Sequence, residues 1–181
     1  SSGIGEAIAL EFAAAGHAVT LVARRRDRLE RIAAECKGGK ALALPWDLGD
    51  PLTATGWIAQ AEAVHGPIDV LINNAGVQIV GPTAETDPAH GEAVIATDLL
   101  TPLRLTRAVL PAMLKRGSGV IVDVASMAAI APTPGMTWYN AAKAGLAAAS
   151  EAMRGELRGT GVHVVTVYPG IIPTDMGTKA M

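Results

Sequence analysis

The sequence predicts a doubly wound α/β fold, a parallel sheet with helices on both faces, and three observations carry that prediction. Short β-branched runs alternate with helix-like stretches along the whole chain. The runs are apolar nearly throughout, which is the pattern of strands buried on both faces. The chain has 181 residues, 50% of them hydrophobic, enough to bury one substantial core, since domains cluster near ~100–150 residues. Right-handed crossovers then distribute the helices over the two faces.

The strand candidates, in order, are residues 19–22, a weaker run at 41–44, residues 70–72, residues 120–122 (extending to Val124) and residues 162–167, each bounded by Gly, Pro or Asp. Between them, Ile4, Ile8 and Phe12 share a helical face ahead of Gly16. Leu105, Val109, Ala112 and Met113 repeat at helical spacing after Pro102, and a third helix runs from about Tyr139 to Leu157. Residues 1–181 read as one domain, with no internal repeat, linker or low-complexity tract. The chain opens on Ser1-Ser2-Gly3-Ile4-Gly5, without a methionine and without a strand ahead of it, whereas a Rossmann-type order places the first strand at the centre of the sheet. The expectation is a fragment lacking its first strand, which would lie between those at Val19 and Val70, and its C-terminal segment.

Composition excludes several classes. Cys36 is the only cysteine, so neither an intramolecular disulfide nor a thiolate metal site can form, and a reducing compartment suits the chain. A formal net charge of −2 speaks against a broad nucleic-acid surface. No apolar run reaches the ~18 residues of a membrane span, and the amino terminus lacks a secretory pattern. The cytoplasm is the default location. His17, His65, His90 and His163 show no metal-ligand spacing, so no metal is expected.

The Gly3-Ile4-Gly5 pair permits close backbone approach to a pyrophosphate, and the helix behind it offers unsatisfied N–H groups to that anion. An ordinary tight turn accounts for the pair equally well. Arg24-Arg25-Arg26 follows the strand ending near Ala23, where a dinucleotide fold meets the adenosine ribose. No acidic residue stands there to accept from ribose hydroxyls. Cations at a helix start oppose the helix dipole; a 2′-phosphate would supply a reason for them, as would a solvated face shared with Asp27 and Glu30. Tyr139 and Lys143, four residues apart, lie on one helical face, where an ammonium favours phenolate and lowers a pKa that starts near ~10. Ser126 follows a strand's carboxyl end, where open α/β sheets place ligands. By itself Tyr-x-x-x-Lys is several times more often ordinary helix surface.

Together these residues resemble the short-chain dehydrogenase/reductase family along the whole chain. Ser1-Ser2-Gly3-Ile4-Gly5 looks like the second half of its Gly-x-x-x-Gly-x-Gly cofactor loop. Asp47-Leu48 matches the adenine-contacting pair, Asn73-Asn74-Ala75-Gly76 the motif beside the cofactor, and Ser126, Tyr139 and Lys143 the catalytic spacing. Pro169-Gly170-Ile171-Ile172-Pro173-Thr174 resembles the segment bordering the nicotinamide, with the Ile172 backbone toward the carboxamide and Thr174 near the carboxamide or phosphates. The resemblance implies an NAD(P)-dependent oxidoreductase that transfers hydride between nicotinamide and a carbonyl or secondary alcohol. Tyr139 would be its acid/base, Ser126 would polarise the oxygen, and Lys143 would bind the ribose and favour ionised Tyr139. Arg24 implies NADP(H) over NAD(H), although Ser2 stands where many NADP-preferring relatives carry a second basic residue.

Asp98 departs from the pattern, because the family usually has asparagine there. An ionised aspartate only accepts hydrogen bonds, where an asparagine also donates. The alternative is therefore a catalytically weak NADP-binding protein acting as a sensor or oligomer subunit. A serine hydrolase fares badly: Ser126 is not in a Gly-x-Ser-x-Gly elbow and no histidine is tied to it. The apolar stretch with Met127, Ile130, Pro132, Pro134 and Trp138 points to a hydrophobic small-molecule carbonyl or alcohol. Relatives pair through the helix after Pro102 and the one carrying Tyr139. Leu103, Ala108, Ala144, Ala147, Ala148 and Ala152 suit such packing, so a homodimer or homotetramer is expected.

Overall fold

A computed structural model describes residues 1–173. Its elements follow in the order α1 (Gly3–Ala14), β1 (Val19–Ala23), α2 (Arg26–Glu35), β2 (Ala41–Pro45), α3 (Ile58–His65), β3 (Val70–Asn73), α4 (Pro88–Ile95), a π-helical turn (Ala96–Leu100), α5 (Thr101–Arg116), β4 (Gly119–Val124), a 3₁₀ turn (Met127–Ala129), α6 (Thr137–Glu156) and β5 (Val162–Val167). All five expected strands and the three expected helices form. α2, α3 and α4 form as well, beyond the sequence expectation: α2 turns Leu29 and Ile32 inward from an otherwise charged stretch, and α3 and α4 are eight residues each.

Every strand pairing is parallel, as in the doubly wound architecture, but the strands fall into two sheets, β1-β2 and β3-β4-β5. β1 and β3 do not pair. A cleft of about 370 Å³ lies between them, lined by both strands and by Ile8 and Phe12 of α1. This is the position at which the sequence leads one to expect the first strand, and the described residues place none there.

Apolar side chains close over the sheets in three clusters. Leu71, Ile121, Val162 and Val164 pack against Leu105, Val109 and Met113 of α5, while Leu21 packs with Ala9, Ala13, Leu29 and Ile32 of α1 and α2. Burying each large side chain contributes roughly 1.5–3 kcal/mol. Ala112, grouped with this α5 face in the sequence, is exposed instead. The third cluster, Val94, Ala128, Met136, Tyr139 and Ala142, joins α4 to α6. α6 is alanine-rich and so strongly helix-forming. It buries Tyr139, Ala142, Lys143, Leu146 and Ser150, the spacing of one helical face. That face carries the polar groups of the site inward.

Polar groups also tie the sheet to α6. Asp123 of β4 is fully buried; its Oδ1 accepts from Asn73 Nδ2 at 2.8 Å and its Oδ2 accepts from Ser150 Oγ at 2.6 Å. This network fixes β3, β4 and α6 relative to one another, behind the strand ends from which the candidate site projects. No helix among the described residues is long and apolar enough to cross a membrane.

Candidate active site

The carboxyl ends of β1 to β5 open onto a cleft of about 880 Å³. At one end lie Ser1, Ser2, Gly3 and Ile4, with α1 beginning at Gly3, so that the unsatisfied N–H groups of a helix start face the cleft. Gly5 sits two residues in, where a Cβ would come 2.5 Å from Asn74 Nδ2, so a side chain there would displace the Asn74 amide. Ala23, Arg24 and Arg25 flank the loop, and Asp47, Leu48, Asn74, Ala75 and Gly76 continue the lining. Asp47 is exposed with its Oδ1 accepting from the Gly49 amide at 2.8 Å, while Leu48 turns into the core.

Arg25 was not singled out from the sequence, yet it bridges to the loop. Its Nε donates to Ser1 Oγ at 3.1 Å and an Nη to Ser2 Oγ at 3.2 Å. A second guanidinium thus stands at the place where Ser2 left the cationic pattern short. The Arg24-Arg25-Arg26 run held that signal, but which of three consecutive arginines turns inward depends on where α2 begins.

The other end of the cleft gathers Ser126, Tyr139, Lys143 and Asp98, with Pro169, Gly170, Ile171 and Ile172 along one side. Thr174 lies outside the described residues. Ser126 follows β4 in extended backbone and caps the 3₁₀ turn, accepting from the Ala128 amide at 3.1 Å. Ser126 stands beside Tyr139, where its side chain favours the phenolate. Lys143 is buried; its Nζ donates to the Val124 carbonyl at 2.9 Å and lies 5.8 Å from the centre of the Tyr139 ring.

Asp98 projects into this group from the π-helical turn between α4 and α5, and its side chain has no exposed surface. Such turns are rare and frequently mark functional positions. Oδ1 accepts from the Val77 amide at 2.7 Å, and Oδ2 lies 3.3 Å from Lys143 Nζ in an ion pair whose geometry falls short of a hydrogen bond. Gly76 makes the room: a Cβ there would stand 2.8 Å from Oδ2. Burial pushes the Asp98 carboxyl up to about 6, against the opposing pull of Lys143 and the Val77 amide.

One expectation is reversed in this arrangement. The spacing of Tyr139 and Lys143 leads one to expect a phenol with a lowered pKa, but the pKa is raised. Burial is the main cause, the Ser126 side chain opposes it, and the Asp98 charge adds to it. The substrate wall also differs in part. Met127 lines the cleft as expected, joined by Ala128, Ala131 and Met136, but Ile130 is exposed and Trp138 turns away to cover Gly91 of α4. Among the described residues no cluster of three or more His, Cys, Asp or Glu side chains could hold a metal ion.

The parallel α/β fold brings the glycine-bearing helix start and the Ser126, Tyr139 and Lys143 group to its strand ends in one cleft. The short chain dehydrogenase family profile matches residues 1–181, and the chain belongs to that family. It is 41% identical over 174 residues to the ketoacyl reductase HetN of Nostoc sp., covering 95% of this chain and 61% of that protein. Among solved structures, a metagenomic short-chain oxidoreductase in complex with NADP superposes with a TM-score of 0.88 at 36% identity, covering 94% of this chain and 77% of that one. A 3-ketoacyl-(acyl-carrier-protein) reductase from Brucella melitensis complexed with NADH superposes at 0.92 and 29% identity, covering 98% and 74%. The chain spans about three fifths of the length of the curated relatives it matches.

Proposed function

We propose that the protein is an NAD(P)-dependent oxidoreductase that interconverts an apolar carbonyl compound and its alcohol, preferring NADP(H), with Tyr139 as the acid/base. The observation that carries this reading is that Ser126, Tyr139 and Lys143, the last one turn further along α6, line the same cleft as the phosphate loop. The helix start at Gly3, opening on the cleft, fits a pyrophosphate. Ser1, Ser2, Gly3, Ile4 and Gly5 would hold it. Asp47 and Leu48 would face the adenine, Asn74, Ala75 and Gly76 the central part, and Lys143, Pro169, Gly170, Ile172 and Thr174 the nicotinamide half. Arg24 and Arg25 provide cations for a 2′-phosphate.

The bound nicotinamide supplies a hydride donor or acceptor at its C4. Ser126 donates to the substrate oxygen and orients it. In reduction the Tyr139 hydroxyl gives its proton to that oxygen as the carbon gains hydride; in oxidation the phenolate takes the proton back. Lys143 holds ribose hydroxyls, and Asp98 anchors Lys143 while keeping an acceptor for the route by which Tyr139 is reprotonated. Met127, Ala128, Ala131 and Met136 give the substrate side an apolar wall. Both the Nostoc and the Brucella relatives are named for ketoacyl substrates, and an apolar acyl chain suits this wall.

The apolar residues Leu103, Ala108, Ala144, Ala147, Ala148 and Ala152 are exposed or half-buried on α5 and α6, which supports a homodimer or homotetramer; the cytoplasm stays the location this reading assigns. A second reading, a weak enzyme that mainly binds NADP(H), rests on Asp98 Oδ2, which is buried without a hydrogen-bond donor. Loss of NADPH absorbance by the full-length protein over a panel of apolar carbonyls separates the two readings. Turnover supports the enzyme; tight binding without turnover on any member supports the binder.

A further inference from the structure

We propose that Asp98 is a positioning residue that acts through Lys143 to keep the Tyr139 hydroxyl protonated, extending the site's capacity for carbonyl reduction toward alkaline pH and delaying its capacity for alcohol oxidation. The proposal rests on the acid/base reading of Tyr139.

Lys143 Nζ lies 3.3 Å from the Asp98 carboxylate and 5.8 Å from the Tyr139 ring centre, so one ammonium faces both groups. An ammonium favours loss of the phenol's proton, and a carboxylate paired with that ammonium cancels part of the pull. The cancellation is strong here because both members of the pair are buried, at 5% and 0% side-chain exposure, so water screens neither charge. Lys143 is also held in place by the Val124 carbonyl and Asp98 by the Val77 amide, so the ammonium cannot swing away from the carboxylate without breaking a hydrogen bond.

Asp123 of β4 is the other buried carboxylate near α6; its oxygens are taken up by Asn73 and Ser150, and Asp98 is the charge that acts on the Tyr139 phenol. The π-helical turn packs against α4, α5 and α6. His90 and Glu92 of α4, and Arg104, Arg107, Lys115 and Arg116 of α5, are exposed, as are Glu151, Arg154 and Glu156 further along α6. Asp47, on the loop after β2, is exposed too. The segment 74–78 contributes an amide and no ionisable side chain. The directions of the two buried acids agree with the geometry: the Tyr139 phenol is raised by burial and further by Asp98, and the Asp98 carboxyl is raised to about 6, so it is ionised through the neutral and alkaline range in which Tyr139 works.

In reduction the phenol O–H bond breaks and its proton forms the new alcohol O–H, while the carbonyl carbon takes hydride from the reduced cofactor. Oxidation reverses each step and requires the phenolate. A carboxylate that holds the phenol protonated therefore favours the first half of the pH range for oxidation least and prolongs reduction.

The test compares full-length wild type with Asp98→Asn, and with Asp98→Ser as a second neutral variant should the first fold poorly. Two readouts are taken: the ultraviolet titration of tyrosinate in cofactor-free protein, with Tyr139→Phe assigning the transition, and the pH profile of alcohol oxidation. Removing the carboxylate is expected to lower both midpoints by about one unit, the size of a nearby-charge effect, making oxidation about tenfold faster at a pH below both midpoints. Midpoints that stay in place while Tyr139→Phe abolishes turnover overturn the proposal alone. Undiminished turnover in Tyr139→Phe overturns the acid/base reading on which it rests.

Discussion

Lys143 Nζ lies 3.3 Å from Oδ2 of Asp98, and neither side chain reaches solvent to any useful extent. The pair has a consequence for stability as well as for chemistry. The Asp98 carboxyl moves from an ordinary 3.8 to about 6 on folding. The folded state therefore binds the proton more tightly than the unfolded state, and this group's contribution is most favourable below pH 4 and is lost as pH rises through about 6.

Asp98→Asn removes that titration. Relative to wild type, the variant is expected to gain stability between pH 4 and pH 7, by at most about 3 kcal/mol from a shift of this size. Denaturant unfolding at the two pH values measures the difference. An equal difference between the proteins at both pH values would mean that the carboxyl titrates normally.

Lys143→Ala removes the cation and leaves a buried carboxylate without its partner, which is costly by about 3–5 kcal/mol unless the acid takes up a proton. Cofactor affinity is expected to fall roughly ten- to hundredfold with the loss of a charged hydrogen bond, and turnover by at least as much. The double variant Lys143→Ala/Asp98→Asn recovers the stability but not the turnover. Titration calorimetry and thermal unfolding read the two effects separately.

Arg24→Ala is expected to weaken NADPH binding about tenfold or more, the worth of a charge-assisted bidentate contact, with little effect on NADH. Arg25→Ala also removes the bonds to Ser1 and Ser2, so it weakens both cofactors. Equal losses in Arg24→Ala would place that guanidinium in solvent instead.

Ser150→Ala strips a donor from the buried Asp123 carboxylate. The expected cost is about 1–3 kcal/mol in stability, with cofactor affinity unchanged because neither residue lines the cleft. A matching loss of affinity would show that the network behind the sheet positions the site as well as supporting it.

The five strands were legible because their runs are mostly apolar, as at Val120 and Ile121, although β5 is not buried on both faces as expected but alternates, with His163, Val165 and Val167 exposed; α6 was legible because its alanines and its buried face agree. Tyr139, Lys143 and Ser126 were legible from spacing. Other features depend on contacts distant in sequence. Nothing local marks Arg25 as the arginine that turns toward Ser1 and Ser2, or Trp138 as the ring that covers Gly91. The raised phenol of Tyr139 arises from burial and from a carboxylate 41 positions away in the chain, which helical spacing does not register.

The central claim is that the Tyr139 hydroxyl carries the transferred proton, and the most direct measurement is turnover of apolar carbonyls with NADPH by the full-length protein and its Tyr139→Phe variant. Phenylalanine keeps the ring in the Val94, Ala128, Met136 and Ala142 cluster and removes only the hydroxyl. Turnover is expected to fall by about 10²–10⁴-fold, the range of general acid–base catalysis, with NADPH affinity within about twofold of wild type by the same reasoning that it loses no cofactor-binding charge. A variant that turns over as fast as wild type would contradict the account.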